Sequence, residues 1–272
     1  MLLRESKKII SNLVLVLFAI SLIAICFSCS KSVEMVEMTD EIVETISEDE
    51  IVMEETIEVE TKSTFVPESI DISDVSGDQY RSTLVRIDEL NHLLGEDIYV
   101  TKEEYFKYKD VKVSLIGDSI AEFSKTQLHR CLRNIVQDSV PGREMVVGIE
   151  AFDAMKEIGR IGDIMILSLG NNAMRGIEVD VLEHVYQGIE GRPLIIPTIV
   201  MPYAGQERNR NRDLINFVNT HENCYIADWN KIARMGENFI TEDGVHPTGE
   251  GSEAYAQLML KTVIDIKKKG LK

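Results

Sequence analysis

Val111-Lys-Val-Ser-Leu-Ile-Gly117-Asp118-Ser119-Ile-Ala121 is the stretch that decides the fold. Its alternating β-branched and apolar residues stop abruptly at Gly-Asp-Ser, the pattern of a buried strand that delivers a hydroxyl to the C-terminal edge of a sheet. Outward from it, further apolar runs predict strands near 111–116, 134–138, 163–169, 193–199 and 224–227. Helical patterns fill the gaps, including Met145 to Ile158 and a last helix from about Gly251 to Lys267. Strands and helices alternating in this rhythm predict an α/β fold, a parallel sheet with helices on both faces and right-handed crossovers. About 160 residues are enough for one well-buried core.

An open parallel sheet gathers the loops after its strands along one edge, so residues far apart in sequence can meet there. Ile164-Met-Ile-Leu-Ser-Leu-Gly170-Asn171-Asn172 ends in a small polar cluster, which puts the Asn172 amide where it can donate to a developing oxyanion. Asn134-Ile-Val-Gln-Asp-Ser-Val-Pro-Gly142-Arg143 runs a shorter strand into a glycine whose backbone N–H can complete such a hole, together with that of Ser119. Asp243-Gly-Val-His246-Pro supplies a carboxylate three residues before a histidine. That spacing lets Asp243 accept from one ring nitrogen while the other faces Ser119. Ser, His and Asp are the side chains that acyl transfer through a covalent intermediate requires, whatever their order in the chain. A lone Gly-Asp-Ser equally suits a strand-end turn, and Asp118 reads as a structural residue of that turn. The chemistry is carried by the ordered set.

That set, Gly-Asp-Ser, Gly142, Gly-x-Asn and Asp-x-x-His, resembles the SGNH (GDSL-type) hydrolase superfamily over residues 111 to 265. The resemblance implies a three-layer α/β/α fold on a flavodoxin-like, five-stranded parallel sheet. Within the superfamily the likeness is to the extracellular SGNH domains of bacterial cell-wall and polysaccharide O-acyltransferases. It is carried by Leu115-Ile-Gly-Asp-Ser-Ile-Ala, Asp138-Ser-Val-Pro-Gly-Arg, Ala227-Asp-Trp229 and Asp243-Gly-Val-His-Pro-Thr-Gly-Glu-Gly251. Many relatives have Asp or Gly after the third-block Asn, whereas Ala173 stands here. Arg143 and Trp229 are candidate substrate-binding residues, the first for a carboxylate or phosphate, the second for stacking on a sugar. Their alternatives are an ion pair with a helix-side Glu and packing under the catalytic loop. His92, His129, His184 and His221 show no zinc spacing, and no metal or cofactor is expected.

The N-terminus predicts where such a domain works. Lys7 and Lys8 precede an apolar stretch from Leu13 to Cys29, a basic and then hydrophobic leader of export type. The expected organisation is a lipoprotein-type signal peptide over 1–28, an acidic disordered tether over 29–76, a short helical extension over 77–110 and the hydrolase domain over 111–272. Cys29, preceded by Ser28, is the expected lipidation site; Cys26 and an uncleaved anchor are the alternatives. Residues 33–61 hold twelve carboxylates and neither Lys nor Arg, a self-repelling composition that cannot bury enough apolar area to fold. They concentrate much of the net charge of −17, and the chain has no basic stripe for nucleic acid. Gln79 to Leu94 predicts an amphipathic helix, with Thr101 capping another. Cys131 and Cys224 read as two separate buried thiols.

The expected function is an envelope-tethered serine esterase or O-acyltransferase, lipid-anchored in the cell envelope or periplasm, acting on an acylated glycan or other small ester through an acyl-serine. The alternatives are a lipase-like or lysophospholipase esterase and a non-catalytic binding module. Three loops should wall the site, Glu122 to Lys125, Ala173 to Gly176 and Met201 to Arg210. Their composition predicts a shallow, polar, open cleft suited to acetyl groups.

Overall fold

In the computed structural model, which describes residues 77–270, the opening run folds as β1 (Val113–Gly117), buried along its whole length. It pairs with β2 (Ile135–Ser139) on one side and β3 (Ile164–Ser168) on the other, and β4 (Leu194–Pro197) and β5 (Cys224–Ala227) follow. All neighbours are parallel, in the order β2-β1-β3-β4-β5. This is the flavodoxin-like, doubly wound order, with its topological switch between β1 and β3.

The strand pleat divides the core in two. Leu115, Ile164, Ile166 and Ile195 enter one apolar cluster, and Ile116, Met165, Leu167, Leu194 and Ile196 enter the other, as a period of two requires. The first face is covered by α1 (Gly77–Leu94), α2 (Lys102–Tyr108), α3 (Ser119–Phe123), α4 (Lys125–Cys131), α8 (Trp229–Ala233) and α9 (Gly249–Lys268). The second is covered by α5 (Gly148–Glu157), α6 (Val179–Gly188) and α7 (Ala204–Thr220). The helix expected from Met145 begins instead as one 3-10 turn, Met145–Val147. β4 stops short of the expected 199. There the Asn211 side chain takes over both the N–H and the C=O of Ile199 (2.8 and 2.9 Å), so the backbone can leave the sheet without losing its partners.

Residues 77–110 are more than an extension. Ile87, Leu90, Leu94, Ile98, Val100 and Tyr105 lie in the same cluster as Leu128, Leu260 and Val263. Gln257 donates to Asn91 Oδ1 and to the Ile98 carbonyl (both 2.9 Å), and Asn91 brackets Val100 through both backbone groups. The Tyr105 hydroxyl donates to the Arg130 carbonyl at 2.9 Å. Thr101 and Glu104 form a capping box at the start of α2. The segment thus packs into one face of the same core as Leu128, Leu260 and Val263. Cys131 and Cys224 are buried free thiols. The leader over 1–28, Cys29 and the tether over 29–76 lie outside the described residues. Among those described, no helix is long and apolar enough to cross a membrane.

Candidate active site

β1 ends on Gly117, where a Cβ would stand 2.4 Å from the Cβ of Ala121. Only glycine lets α3 fold back this tightly from the strand. Asp118 caps the helix, its Oδ1 accepting from the Ile120 N–H at 3.0 Å. Ser119 therefore opens α3 beside the switch between β1 and β3, where the loops of an open sheet diverge and leave a crevice.

The loop before α9 closes on itself to present the histidine. Thr241 N–H donates to the His246 carbonyl (2.9 Å) and Thr248 N–H to that of Phe239 (3.0 Å), with Gly244 taking φ +72° in the turn between. Asp243 Oδ1 accepts from the Thr241 hydroxyl (2.7 Å) and the N–H groups of Val245 (2.8 Å) and His246 (3.0 Å). Its Oδ2 is left to His246 Nδ1, 2.6 Å away. Thr248 caps α9 by accepting from Gly251 N–H. A Cβ on Gly251 would come within 1.9 Å of the Phe239 carbonyl oxygen, so this glycine lets the loop lie on the helix. The outcome is that His246 Nε2 lies 2.9 Å from Ser119 Oγ. Burial works against charge on Asp243, but hydrogen bonds from the His246 ring and N–H, Thr241 and Val245 outweigh it and hold the carboxyl well below the usual range. An imidazole so placed can take a hydroxyl proton while the carboxylate fixes its orientation.

The other two sequence candidates come from the loops after β2 and β3. Val140-Pro-Gly142-Arg143 is a turn closed by Arg143 N–H to the Val140 carbonyl (3.1 Å), with Pro second and Gly142 third at φ +76°, the residues a type II turn demands. The closing bond uses the N–H of Arg143, not that of Gly142. Asn172 Nδ2 lies 3.4 Å from Asp118 Oδ2. One amide N–H is thereby directed at the carboxylate, and the second remains. Asp118 is only 1% exposed. Burial pushes its carboxyl up to about 6, opposed by the N–H groups of Ile120 and Asn171 and by the nearby His246.

The two substrate-binding candidates have other partners. The Arg143 guanidinium donates to the carbonyls of Gly117 (3.2 Å) and Asp138 (2.8 Å) and to Asp138 Oδ1 (2.6 Å). It staples the Gly142 turn to the ends of β1 and β2, and its ion-pair partner is a strand aspartate rather than a helical glutamate or a ligand. Trp229 is 1% exposed and meets Tyr255 edge-on at 5.2 Å. It packs under the loops and presents no face to a sugar.

Arg210 enters the sequence reading only as the end of the wall loop Met201 to Arg210, but most of that segment is the first part of α7 (Ala204–Thr220). Its guanidinium donates to the carbonyls of Gly170 (2.8 Å), Asn171 (2.9 Å) and Ala173 (2.5 Å), gripping the loop that holds Asn172. Glu207, buried on the same helix, accepts from Met201 N–H (2.8 Å) and pairs with Arg234 (2.6 Å). Both lie on the helical stripe that continues to Leu214 and Phe217, so polar residues on the core-facing phase of α7 were the available clue. The three wall loops are also less polar than expected. Each exposes one large apolar side chain, Phe123 (51%), Met174 (79%) and Tyr203 (66%).

No family model matches the chain. It is 24% identical over 144 residues to the peptidoglycan O-acetyltransferase OatA of Listeria monocytogenes, a match covering 53% of this chain and 22% of that protein. To the O-acetyltransferase OatA of Staphylococcus aureus it is 23% identical over 159 residues, covering 57% and 26%. Among solved structures, the C-terminal catalytic domain of Streptococcus pneumoniae OatA superposes with a TM-score of 0.49 at 17% identity, covering 60% of this chain and 94% of that domain. The chain thus matches only a minor part of the length of these curated relatives, 22% and 26%.

Proposed function

We propose that the chain is an envelope-tethered serine esterase or O-acyltransferase that acts on short acyl esters of glycans, acetyl above all, through an acyl-serine intermediate. The observation that carries this reading is the hydrogen-bonded line from Asp243 through His246 to Ser119. In the proposed reaction His246 takes the Ser119 proton as Oγ attacks the ester carbonyl. The oxyanion is received by the N–H groups of Ser119 and Gly142 and the free N–H of Asn172. Collapse returns the proton to the leaving oxygen, and water or a sugar hydroxyl then resolves the acyl-serine with His246 again moving the proton. The OatA relatives, named for O-acetyl transfer and in one case for peptidoglycan, support a glycan as substrate. Tethering through a lipid on Cys29 and the acidic segment belongs to the same proposal.

Phe123, Met174 and Tyr203 favour a second reading, a lipase-like hydrolase that seats a long acyl chain on them. A panel of esters from acetyl to octanoyl, run with and without glycan acceptors, separates the two. Each methylene buried on an apolar wall is worth about 0.8 kcal/mol, so a lipase-like site raises kcat/KM steadily with chain length. Activity that peaks at acetyl supports the glycan reading; a steady rise to octanoyl replaces it.

A further inference from the structure

Phe123 stands one helical turn after Ser119, on the same side of α3, and its ring centroid lies 5.1 Å from that of His246 at an angle of 53°. Half of its surface remains open. A partly open aromatic ring therefore stands directly against the imidazole that faces Ser119. In the reaction proposed above, the tetrahedral adduct collapses as the bond from carbon to sugar oxygen breaks and the proton on His246 Nε2 passes to that oxygen. Transfer to a sugar runs the same step in reverse, with the hydroxyl giving its proton to Nε2 as its oxygen bonds to carbon. In both directions the sugar oxygen must sit at Nε2, and the ring bearing it lies over whatever surface flanks the imidazole. That surface includes Phe123.

We propose that Phe123 is the sugar platform of this site: an aromatic face on which one pyranose packs its C–H side while the adjoining oxygen meets His246. The inference rests on the esterase or acyltransferase reading and adds the binding subsite for the alcohol half of the ester. It moves the aromatic contact from Trp229, which is sealed in the core, to a ring that solvent can reach. An aromatic face suits this ligand because the axial C–H groups of a pyranose are apolar while its hydroxyls point outward.

The test compares two acetyl esters on the full chain, O-acetylated chitotriose and vinyl acetate. They share the acyl group and the whole Ser119 chemistry, but only the first has a sugar. Aryl esters are avoided because their leaving group would itself stack. The readout is the ratio of kcat/KM for the glycan ester to that for vinyl acetate in Phe123→Ala, Phe123→Leu and Phe123→Trp. Phe123→Ala should lower the ratio about tenfold, the size of one aromatic contact. Phe123→Leu should lower it similarly although it keeps apolar bulk against His246, and Phe123→Trp should keep or raise it. A ratio unchanged in Phe123→Ala overturns the platform, as does an equal fall in Phe123→Trp and Phe123→Ala, which would mean that the ring only packs on His246. Failure of the wild-type chain to cleave vinyl acetate at all would refute the enzymatic reading beneath it, a different result from an unchanged ratio.

Discussion

Asp118→Asn tests the electrostatics around the nucleophile. In the folded chain burial raises the Asp118 carboxyl from its ordinary 3.8 to about 6. A folded-state value above the unfolded one means that the native state holds the proton more tightly, so this group stabilises the fold at low pH and the contribution is lost as pH rises through 6. The shift corresponds to about 3 kcal/mol in total, of which about 2 kcal/mol falls between pH 4.5 and pH 8. Asparagine keeps an acceptor for the Ile120 N–H and cannot ionise. Urea unfolding of both proteins across that range cancels, in the difference, the titrating groups that do not interact with Asp118. The stability of Asp118→Asn relative to wild type should rise by about 2 kcal/mol from pH 4.5 to pH 8. Parallel curves would refute the argument, because they would show the carboxyl ionising as it does in water. Turnover should move the other way, since Asn172 loses its carboxylate acceptor.

Asn172→Ala should retain weak activity, lower in kcat by about 10²–10³, as removal of a single oxyanion donor does; steady-state kinetics on acetyl esters reads it. Arg210→Ala frees the loop over 170–173 from three hydrogen bonds, and misplacing Asn172 by an ångström should cost kcat about 10²-fold. Arg210→Lys should not restore it, because a single ammonium lacks the planar fork that reaches three carbonyls. Fatty-acid labelling in the native envelope should be lost in Cys29→Ala, and equal labelling in both proteins would sink that assignment.

The sheet was legible because its strands are short, apolar and punctuated. The run to Gly117, the run to Gly170 and the Asp-x-x-His loop each end where an α/β sheet needs a small or polar residue, so their convergence followed from topology. What escaped were contacts that depend on which way a side chain faces. For Arg143 and Trp229 the sequence left an ion pair and packing under the loop open beside ligand binding, and side-chain direction decides for Asp138 and Tyr255. Arg210 stood in the sequence only as the end of a wall segment, and its role depends on the loop after β3 reaching it on α7. Phe123 fell inside a wall segment read as polar, and its importance lies in a spacing of four from Ser119 that becomes proximity only on a helix. The segment 77–110 was readable as helices packed against the domain or spacing it from the tether; which residues it meets was not, because its partners lie some 160 residues away in α9.

The central claim is that Ser119 is a nucleophile activated by His246, and covalent capture tests it most directly. The full chain is treated with a fluorophosphonate, digested and mapped by mass spectrometry, alongside Ser119→Ala and His246→Ala. The account predicts one adduct, on the peptide containing Ser119, absent from Ser119→Ala and formed far more slowly in His246→Ala. An adduct on another residue, or ester turnover that survives in Ser119→Ala, would contradict it.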